Sequence, residues 1–399
     1  MFDAILAAPP DSILGLTEAW KQDPNPLKVN LGVGVYKDAA GNTPILASVK
    51  AAEAAILHSA TTKSYMPISG APEYGSCVRE LIFGSAHEII QAGRARTAHT
   101  PGGTAALRAG ADFLKKVVPA ATVWMSAPTW ANHKGVFAAA GFASKDYPYY
   151  DAANRDLDFP RMQEALEAIP AGDIVLLHAC CHNPSGVDLD AEQWRTVAAI
   201  AGRRGWLPFL DFAYQGYGDG LEQDRAGVLA LAAACPEFIV ASSFSKNFGL
   251  YQDRTGALTL VAGSAAAADR AFSHVELAIR VNYSNPPAHG GLIVSRILSD
   301  AALRDQWLAE LTAMREHIAA TRRQFVAALA SHEVPGDFSF IARQKGMFSF
   351  SGLGDVQVKF LRDARSIYIV GGGRINVAGI TSHNLDYLCT SIREALASY

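Results

Sequence analysis

The sequence contains few cysteines, few charged residues and no long hydrophobic run. Its five cysteines are an odd number and form no Cys-x-x-Cys pair, so a reduced, cytoplasmic protein is the simplest expectation. No apolar run approaches the roughly 20 residues that span a bilayer, and we expect no membrane partner. The first six residues include an acid and no basic stretch, which is unlike a signal or transit peptide.

The charge balance also gives no reason to expect a nucleic-acid partner. Lysine and arginine number 35 against 38 acidic residues, and the formal net charge is −3; a nucleic-acid-binding protein is typically basic. Half of the residues are hydrophobic, as in a well-buried globular protein. At 399 residues the chain is longer than one hydrophobic core usually serves, so two domains are expected.

The central part of the chain alternates short apolar runs with helical patterns. This rhythm predicts an α/β fold with a mostly parallel sheet covered by helices on both faces. A long amphipathic helix is predicted near 303–330, and the tail after it reads as a smaller α+β domain. The predicted strands are 121–126, 173–178, 206–211, 238–242 and 256–262, and the predicted helices between them lie near 131–141, 190–204 and 226–234.

Polar and aromatic residues follow several of the predicted strands. In parallel sheets, ligands bind beyond the carboxyl ends of the strands. Unconnected strand ends that each carry such a residue therefore predict a cofactor site. The residues in question are Trp130, Asn183, Asp211, Tyr214 and Lys246.

Lys246 lies in the stretch Ser242-Ser-Phe-Ser-Lys-Asn-Phe-Gly-Leu250, eight residues before Arg254. Desolvation and a nearby cation would lower its pKa from about 10.4, as suits an imine-forming nucleophile or proton carrier. Hydroxyl groups and an arginine beside it suit a bound phosphate. For an isolated Ser-x-x-Lys, a lysine that merely extends from a strand end to solvent is the favoured interpretation, so the other motifs must decide.

Three further patterns have a binding interpretation and a simpler one. Gly102-Gly103-Thr104 begins an Ala-rich helix and would present free N–H groups to a phosphate, although such starts are also ordinary turns. Arg374 follows three glycines, so a carboxylate could reach it. Arg280 precedes an irregular segment, where it faces either a cavity or solvent.

Two other motifs are only weak evidence for a metal site and for a dinucleotide-binding site. His178-Ala-Cys-Cys-His182 contains metal-ligand residue types, but adjacent cysteines rarely suit a tetrahedral site; packing around the following Asn183-Pro-Ser-Gly turn is favoured, and no metal is expected. Gly32-Val-Gly34 lacks the third glycine of a dinucleotide fingerprint, which argues against a nicotinamide dehydrogenase. The two glycines would let backbone approach a ligand or another segment.

The combined motifs resemble the class I, fold-type I aminotransferases that depend on pyridoxal phosphate, in their aspartate/aromatic subgroup. The resemblance runs from about Val29 to the C-terminus. Ser185 stands where the family more often has threonine, a mild departure. The motifs are Pro-Gly-Gly-Thr104, Cys-Cys-His-Asn183-Pro-Ser-Gly, Asp211-Phe-Ala-Tyr214-Gln-Gly, Ser-Phe-Ser-Lys246-Asn-Phe-Gly-Leu, Arg280-Val-Asn-Tyr-Ser-Asn-Pro-Pro-Ala-His-Gly and Gly-Arg374-Ile-Asn-Val-Ala-Gly.

The resemblance implies a role for each cofactor residue. Lys246 would form the Schiff base and then carry the proton between substrate Cα and cofactor, and Asp211, supported by His133, would hold the pyridine nitrogen protonated. Tyr214 and Asn183 would bond the ring oxygen, and Trp130 would stack on the ring unless it is simply a core residue. The phosphate would be held by Gly102, Gly103, Thr104, Ser243, Ser245, Arg254 and a neighbouring subunit's Tyr65.

The resemblance also implies substrate contacts and a homodimer with shared active sites. Arg374 would bind the α-carboxylate, and a neighbour's Arg280 would bind the second carboxylate of a dicarboxylic substrate. Gly34, Trp130, Asn183 and Phe348 would complete the substrate site. The implied domains are an N-terminal segment 1–45 contributing to the small domain and the dimer contact, a large pyridoxal-phosphate-binding domain 46–312, and a small domain 313–399.

The predicted reaction is transamination of L-aspartate with 2-oxoglutarate to oxaloacetate and L-glutamate by a ping-pong exchange. Val35, Lys37, Thr43, Thr104 and Asn285 resemble the aspartate-preferring members, but tyrosine and phenylalanine are close alternatives because both subgroups retain Arg280. A lyase or decarboxylase of the same fold would be unlikely to need Arg280. A non-catalytic cofactor-binding protein would not need Lys246, Asp211 and Arg374 together.

Overall fold

The computed structural model describes residues 2–8 and 13–398 of the chain. Within these ranges, no helix combines the length and the hydropathy that crossing a membrane requires. Short 3-10 helices occupy Phe2–Ala4, Gln223–Arg225, Gly371–Gly373 and Val377–Gly379. The α-helices are α1 (Leu14–Gln22), α2 (Ala47–Ser59), α3 (Pro72–Phe83), α4 (Glu88–Gln91), α5 (Gly102–Val117), α6 (Asn132–Ala139), α7 (Phe159–Ala168), α8 (Ala191–Arg204), α9 (Ala226–Ala234), α10 (Ala265–Asn282), α11 (Ala288–Ser299), α12 (Ala301–Ser331), α13 (Phe340–Arg343), α14 (Asp355–Arg365) and α15 (Leu385–Ser398).

The strands form one seven-stranded sheet and three two-stranded ladders. The large sheet has the order β2-β10-β9-β8-β7-β3-β4, and only β10 runs antiparallel to its neighbours. The predicted α/β class with a mostly parallel sheet is therefore confirmed. The strands are β1 (Val29–Asn30), β2 (Ala95–Pro101), β3 (Val123–Ala127), β4 (Ser144–Pro148), β5 (Tyr150–Asp151), β6 (Asp156–Leu157), β7 (Ile174–His178), β8 (Leu207–Phe212), β9 (Phe238–Ser243), β10 (Thr255–Val261), β11 (Phe348–Phe350), β12 (Ile367–Tyr368) and β13 (Arg374–Asn376).

The central strands are apolar along their whole length because helices cover both faces of the sheet. Every residue of β7, β9 and β10 is buried, as expected for strands enclosed on both sides. The helix between β7 and β8 has clear ends: Asp190 and Gln193 form a capping box at the start of α8, and Gly205 ends it in a left-handed conformation.

Two strands of the sheet lie outside the predicted set. β2 reads Ala-Arg-Thr-Ala-His-Thr-Pro and has too many polar residues to be recognised as a buried strand. β4 is an edge strand with three exposed residues, so it lacks the apolar run of its neighbours.

The chain divides into two compact units. The sheet unit comprises Pro44–Asn183 and Val187–Glu316 and contains the seven-stranded sheet. The terminal unit comprises the chain through Thr43, the short segment Pro184–Gly186, and the chain from His317 onward. In the terminal unit β1 pairs with β12 and β11 pairs with β13.

Candidate active site

Lys246 of the sheet unit lies three residues beyond the end of β9. Its Nζ is 4.7 Å from the centre of the Tyr214 ring. The pKa of Lys246 is lowered to about 8, chiefly by desolvation; the Asp211 carboxylate opposes this shift and the positive charge of Arg254 adds to it. About a fifth of this amine is therefore neutral near pH 7.4, far more than for a lysine of ordinary pKa, as suits a nucleophile or proton carrier.

Asp211, on β8, is hydrogen-bonded to His133 of α6. His133 Nε2 lies 2.9 Å from Asp211 Oδ2, and His133 Nδ1 lies 2.8 Å from the Thr129 hydroxyl. Burial opposes a charge on Asp211, but the His133 hydrogen bond and the positive charge of Lys246 outweigh it, and the pKa of Asp211 is lowered. The carboxylate is consequently an anion fixed in a buried place.

His178 belongs to the same cluster, although its motif in the sequence predicts only packing around a turn. It ends β7 and pairs in register with Asp211 on β8, and its ring centre is 5.2 Å from that of His133. Burial and the neighbouring His133 lower the pKa of His178 to about 3, so it is neutral. The sequence places His178 and Asp211 at the ends of two predicted strands, but the register that brings them together depends on tertiary packing.

Trp130, Tyr214 and Asn183 also belong to the sheet unit. Tyr214 and Asn183 are buried, whereas Trp130 is partly exposed. The Trp130 ring meets the His133 ring edge-on, with centres 5.2 Å apart. Trp130 therefore packs beside the Asp211 cluster and still has a free surface, which a fully buried core tryptophan would lack.

The start of α5 forms a cradle with the segment after β9. A Cβ atom on Gly102 would lie 2.5 Å from Arg254 Nη2, and one on Gly103 would lie 2.9 Å from Ser243 Cβ. Arg254 Nη1 donates to Ser245 Oγ at 3.2 Å. Among the described residues no side chain caps α5, so the N–H groups at Gly103 and Thr104 remain available to an anion.

Three predicted substrate residues lie in the terminal unit. Arg374 is buried on β13, donates to the carbonyl oxygen of Gly32, and has its guanidinium carbon 4.4 Å from the centre of the Phe348 ring. A Cβ atom on Gly34 would lie 2.6 Å from Phe348 Cζ. The glycine at 34 therefore permits the close approach of the ring that lies on Arg374.

Arg280 and Tyr65 of the sheet unit are exposed. Arg280 lies in the last turn of α10 and donates to the Ser284 hydroxyl. Tyr65 is 92% exposed. Within one chain, neither side chain has the enclosed surroundings that Lys246 and Asp211 have.

Cys180, Cys181 and Asp224 form a buried group whose potential metal-ligand atoms all lie within 4.8 Å of one another, as do those of His133, His178 and Asp211. The Asp224 carboxylate already accepts hydrogen bonds from the main-chain N–H groups of Gly216, Gly218 and Asp219. These contacts favour packing at this position.

Comparison with known proteins assigns the family. Residues 26–392 match the family "Aminotransferase class I and II". Aspartate aminotransferase of Salmonella typhi is 54% identical over 98% of this chain and 99% of its own length, and aromatic-amino-acid aminotransferase of Pseudomonas aeruginosa is 46% identical over 99% of both chains. The crystal structure of aromatic-amino-acid aminotransferase from Burkholderia pseudomallei, covalently bound to pyridoxal phosphate, is 46% identical and matches 99% of both chains with a TM-score of 0.96. With nearly all of its length matched and its fold shared, the chain belongs to the class I and II aminotransferases.

Proposed function

We propose that the protein transfers the amino group of L-aspartate to 2-oxoglutarate and gives oxaloacetate and L-glutamate. The observation that carries this proposal is the Lys246 amine, with its pKa lowered to about 8, in the electrostatic field of the buried Asp211 carboxylate. The 54% identity to an aspartate aminotransferase supports aspartate as substrate. Transamination of aromatic amino acids is the second candidate, because an aromatic-amino-acid aminotransferase is 46% identical.

The cofactor is pyridoxal 5'-phosphate, and the sheet unit fits it. Because neither Gly102 nor Gly103 carries a Cβ atom, the start of α5 lies close to Arg254 and Ser243. Main-chain N–H groups, the hydroxyls of Ser243 and Ser245 and the Arg254 guanidinium, all suitable donors to a phosphate, are thereby brought together. When bound, the cofactor supplies an electrophilic aldehyde carbon and a ring that accepts the electrons released at the substrate Cα.

The residues of the chain supply the proton chemistry. Asp211, kept ionised by His133, would accept a hydrogen bond from a protonated ring nitrogen. Lys246 Nζ would remove the proton from the substrate Cα and deliver it to the cofactor. Its pKa of about 8 lets it exchange a proton near neutral pH. Tyr214 and Asn183 would bond the ring oxygen, and Trp130 would stack on the ring.

Arg374 would bind the substrate α-carboxylate in the terminal unit, where Phe348 and Gly34 shape its surroundings. Arg280 would bind the second carboxylate of aspartate, glutamate or their oxo acids. We assign the sheet unit as the large cofactor-binding domain and the terminal unit as the smaller domain.

We also propose that the protein is a homodimer in which Arg280 and Tyr65 each serve the neighbouring subunit's site. Tyr65 is 92%, Val281 81% and Leu57 79% exposed, and a second copy would cover such apolar side chains on the sheet unit. The described residues Cys77, Cys180, Cys181, Cys235 and Cys389 form no disulfide bond, which supports a reducing, cytoplasmic location.

The function is tested by an absorption titration of the purified protein loaded with pyridoxal phosphate. L-Aspartate should convert the imine band to the amine form of the cofactor, and 2-oxoglutarate should restore it; the Lys246→Ala variant should show no internal imine band. A parallel titration with L-phenylalanine ranks the two candidate substrates. Absence of any band after addition of the cofactor would refute the assignment of Lys246.

A further inference from the structure

Arg322 of α12 is buried in the terminal unit, with 2% of its surface exposed. Its guanidinium group donates to the carbonyl oxygens of Ile341, Lys345, Gly346 and Phe348 and to the Ser349 hydroxyl. The bonds to Gly346 and Phe348 measure 2.7 and 2.6 Å. The planar, five-donor shape of arginine matches such a set of acceptors, which one lysine ammonium could not satisfy.

These acceptors lie in the segment that leads into β11 and places Phe348. The carbonyl oxygen of Phe348 also lies against Gly186, where a Cβ atom would be only 2.4 Å away. Main-chain N–H of Lys345 donates to the Gly186 carbonyl oxygen at 2.7 Å. Arg322 and Gly186 thus act on the same main-chain segment and leave Phe348 little freedom to shift.

Phe348 transmits this restraint to Arg374. β11 pairs with β13 so that Phe348 faces Asn376 and Phe350 faces Arg374. The Phe348 ring lies under the Arg374 guanidinium with a distance of 4.4 Å from the ring centre to the guanidinium carbon. A displaced segment would move both the strand partner and the ring that set the direction of Arg374.

We propose that Arg322 is a positioning residue for the substrate carboxylate. It fixes the segment from Ile341 to Ser349, and through Phe348 it fixes the orientation in which Arg374 receives the carboxylate. The inference rests on the proposed role of Arg374 in binding that group. Arg322 does not itself touch the substrate. Its replacement should therefore weaken substrate binding more than it lowers the reaction rate of the bound substrate.

The test compares Arg322→Met with Arg322→Lys and with Arg323→Met, a change of the adjacent exposed arginine on the same helix. The rate of conversion of the imine band is measured against L-aspartate concentration in the holoenzyme. We expect Arg322→Met to raise the half-saturating concentration between about tenfold and a hundredfold, because small displacements of a positioning group have such effects. Arg322→Lys should recover part of the loss, and Arg323→Met should match the unaltered protein.

A second experiment tests whether Arg322 affects substrate binding by way of Arg374. Arg322→Met should raise the half-saturating concentration much less in an Arg374→Lys background than in the unaltered protein, since coupled residues are not additive. Full additivity, or a folded Arg322→Met variant with unchanged half-saturation, would overturn the proposal. If Arg322→Met does not fold, the same measurement is made on Ser349→Ala and Arg322→Lys. An unchanged half-saturating concentration of L-aspartate in both variants would overturn the proposal. Failure of the unaltered holoenzyme to respond to any amino acid would instead refute the proposed function.

Discussion

His133 Nε2 lies 2.9 Å from Asp211 Oδ2, and both groups are buried at the carboxyl end of the sheet. Because an ionised carboxylate can only accept, the His133 imidazole donates from Nε2, and its Nδ1 lies 2.8 Å from the Thr129 hydroxyl. It stabilises the charge on Asp211 without neutralising it.

Replacement of His133 with leucine should raise the pKa of Asp211 and lower the turnover of aspartate. The loss of one hydrogen bond to a buried charge costs about 1.5–3 kcal/mol, which corresponds to roughly a tenfold to a hundredfold loss of kcat/KM. Steady-state kinetics with L-aspartate measure the effect, and His58→Leu at an exposed position is the control. Unchanged kinetics in a folded His133→Leu protein would contradict the role assigned to the pair.

The lowered pKa of Lys246 predicts how fast the cofactor-free protein takes up pyridoxal phosphate at different pH values. Only the neutral amine attacks an aldehyde, so the rate should rise with pH with a midpoint near 8 and level off at higher pH. The Asp211 charge raises this pKa, so Asp211→Asn should move the midpoint to lower pH. Stopped-flow absorption at the imine band gives the midpoint, and a simple lysine peptide provides the reference near pH 10.4. A protein midpoint at that reference value would refute the desolvation argument.

The Arg280→Leu variant should lose activity toward dicarboxylic substrates but largely keep it toward aromatic ones. Loss of one partner from a charged, hydrogen-bonded pair costs about 2–5 kcal/mol, so kcat/KM for aspartate and 2-oxoglutarate should fall by roughly thirtyfold or more. Phenylalanine, which has no second carboxylate, should be affected far less. Arg270→Leu, an exposed position on the same helix, is the matched control. Equal losses for aspartate and phenylalanine would argue against a carboxylate-binding role for Arg280.

Much of the sheet unit could be predicted because its strands are apolar runs and its special residues follow their ends. Lys246 and Asp211 stand out for that reason, and the confirmed parallel sheet explains why two distant stretches of sequence converge. β2 escaped prediction because its buried polar residues, such as Thr97 and His99, have no strand pattern of their own. Its burial depends on α3 and α10, which pack against it.

Residues that act through main-chain atoms could not be predicted. Arg322 has the same sequence surroundings as its exposed neighbour Arg323, and only the folded segment from Ile341 to Ser349 distinguishes the two. The sequence drew attention to His178 but did not predict that it lies beside Asp211, because strand register is set by tertiary packing. Contacts of this kind become evident only once the fold is known.

Gly34→Ala tests the contact between Gly34 and Phe348. The new methyl group would lie 2.6 Å from Phe348 Cζ, so the ring must move away from its position on Arg374. We expect KM for aspartate to rise by about tenfold. Phe348→Leu in the same chain should remove the steric conflict, and Gly263→Ala, where no atom lies within 4 Å, is the control. An unaltered KM in the single variant would show that the ring position is not critical.

Alanine substitutions at two glycines of the sheet unit should distinguish a loss of stability from a loss of cofactor binding. A Cβ atom on Gly256 would lie 2.5 Å from the Gly102 carbonyl carbon, and one on Gly227 would lie 2.4 Å from the Trp194 ring. Both alanine variants should be destabilised by about 1–3 kcal/mol through overpacking, as measured by chemical unfolding of the cofactor-free protein. Only Gly256→Ala displaces the start of α5, so it alone should weaken pyridoxal phosphate binding. Because main-chain atoms at Gly102 cannot rotate away as a side chain can, the conflict at Gly256 must move the cradle itself. Equal cofactor affinity in the two variants would show that the α5 start does not hold the phosphate.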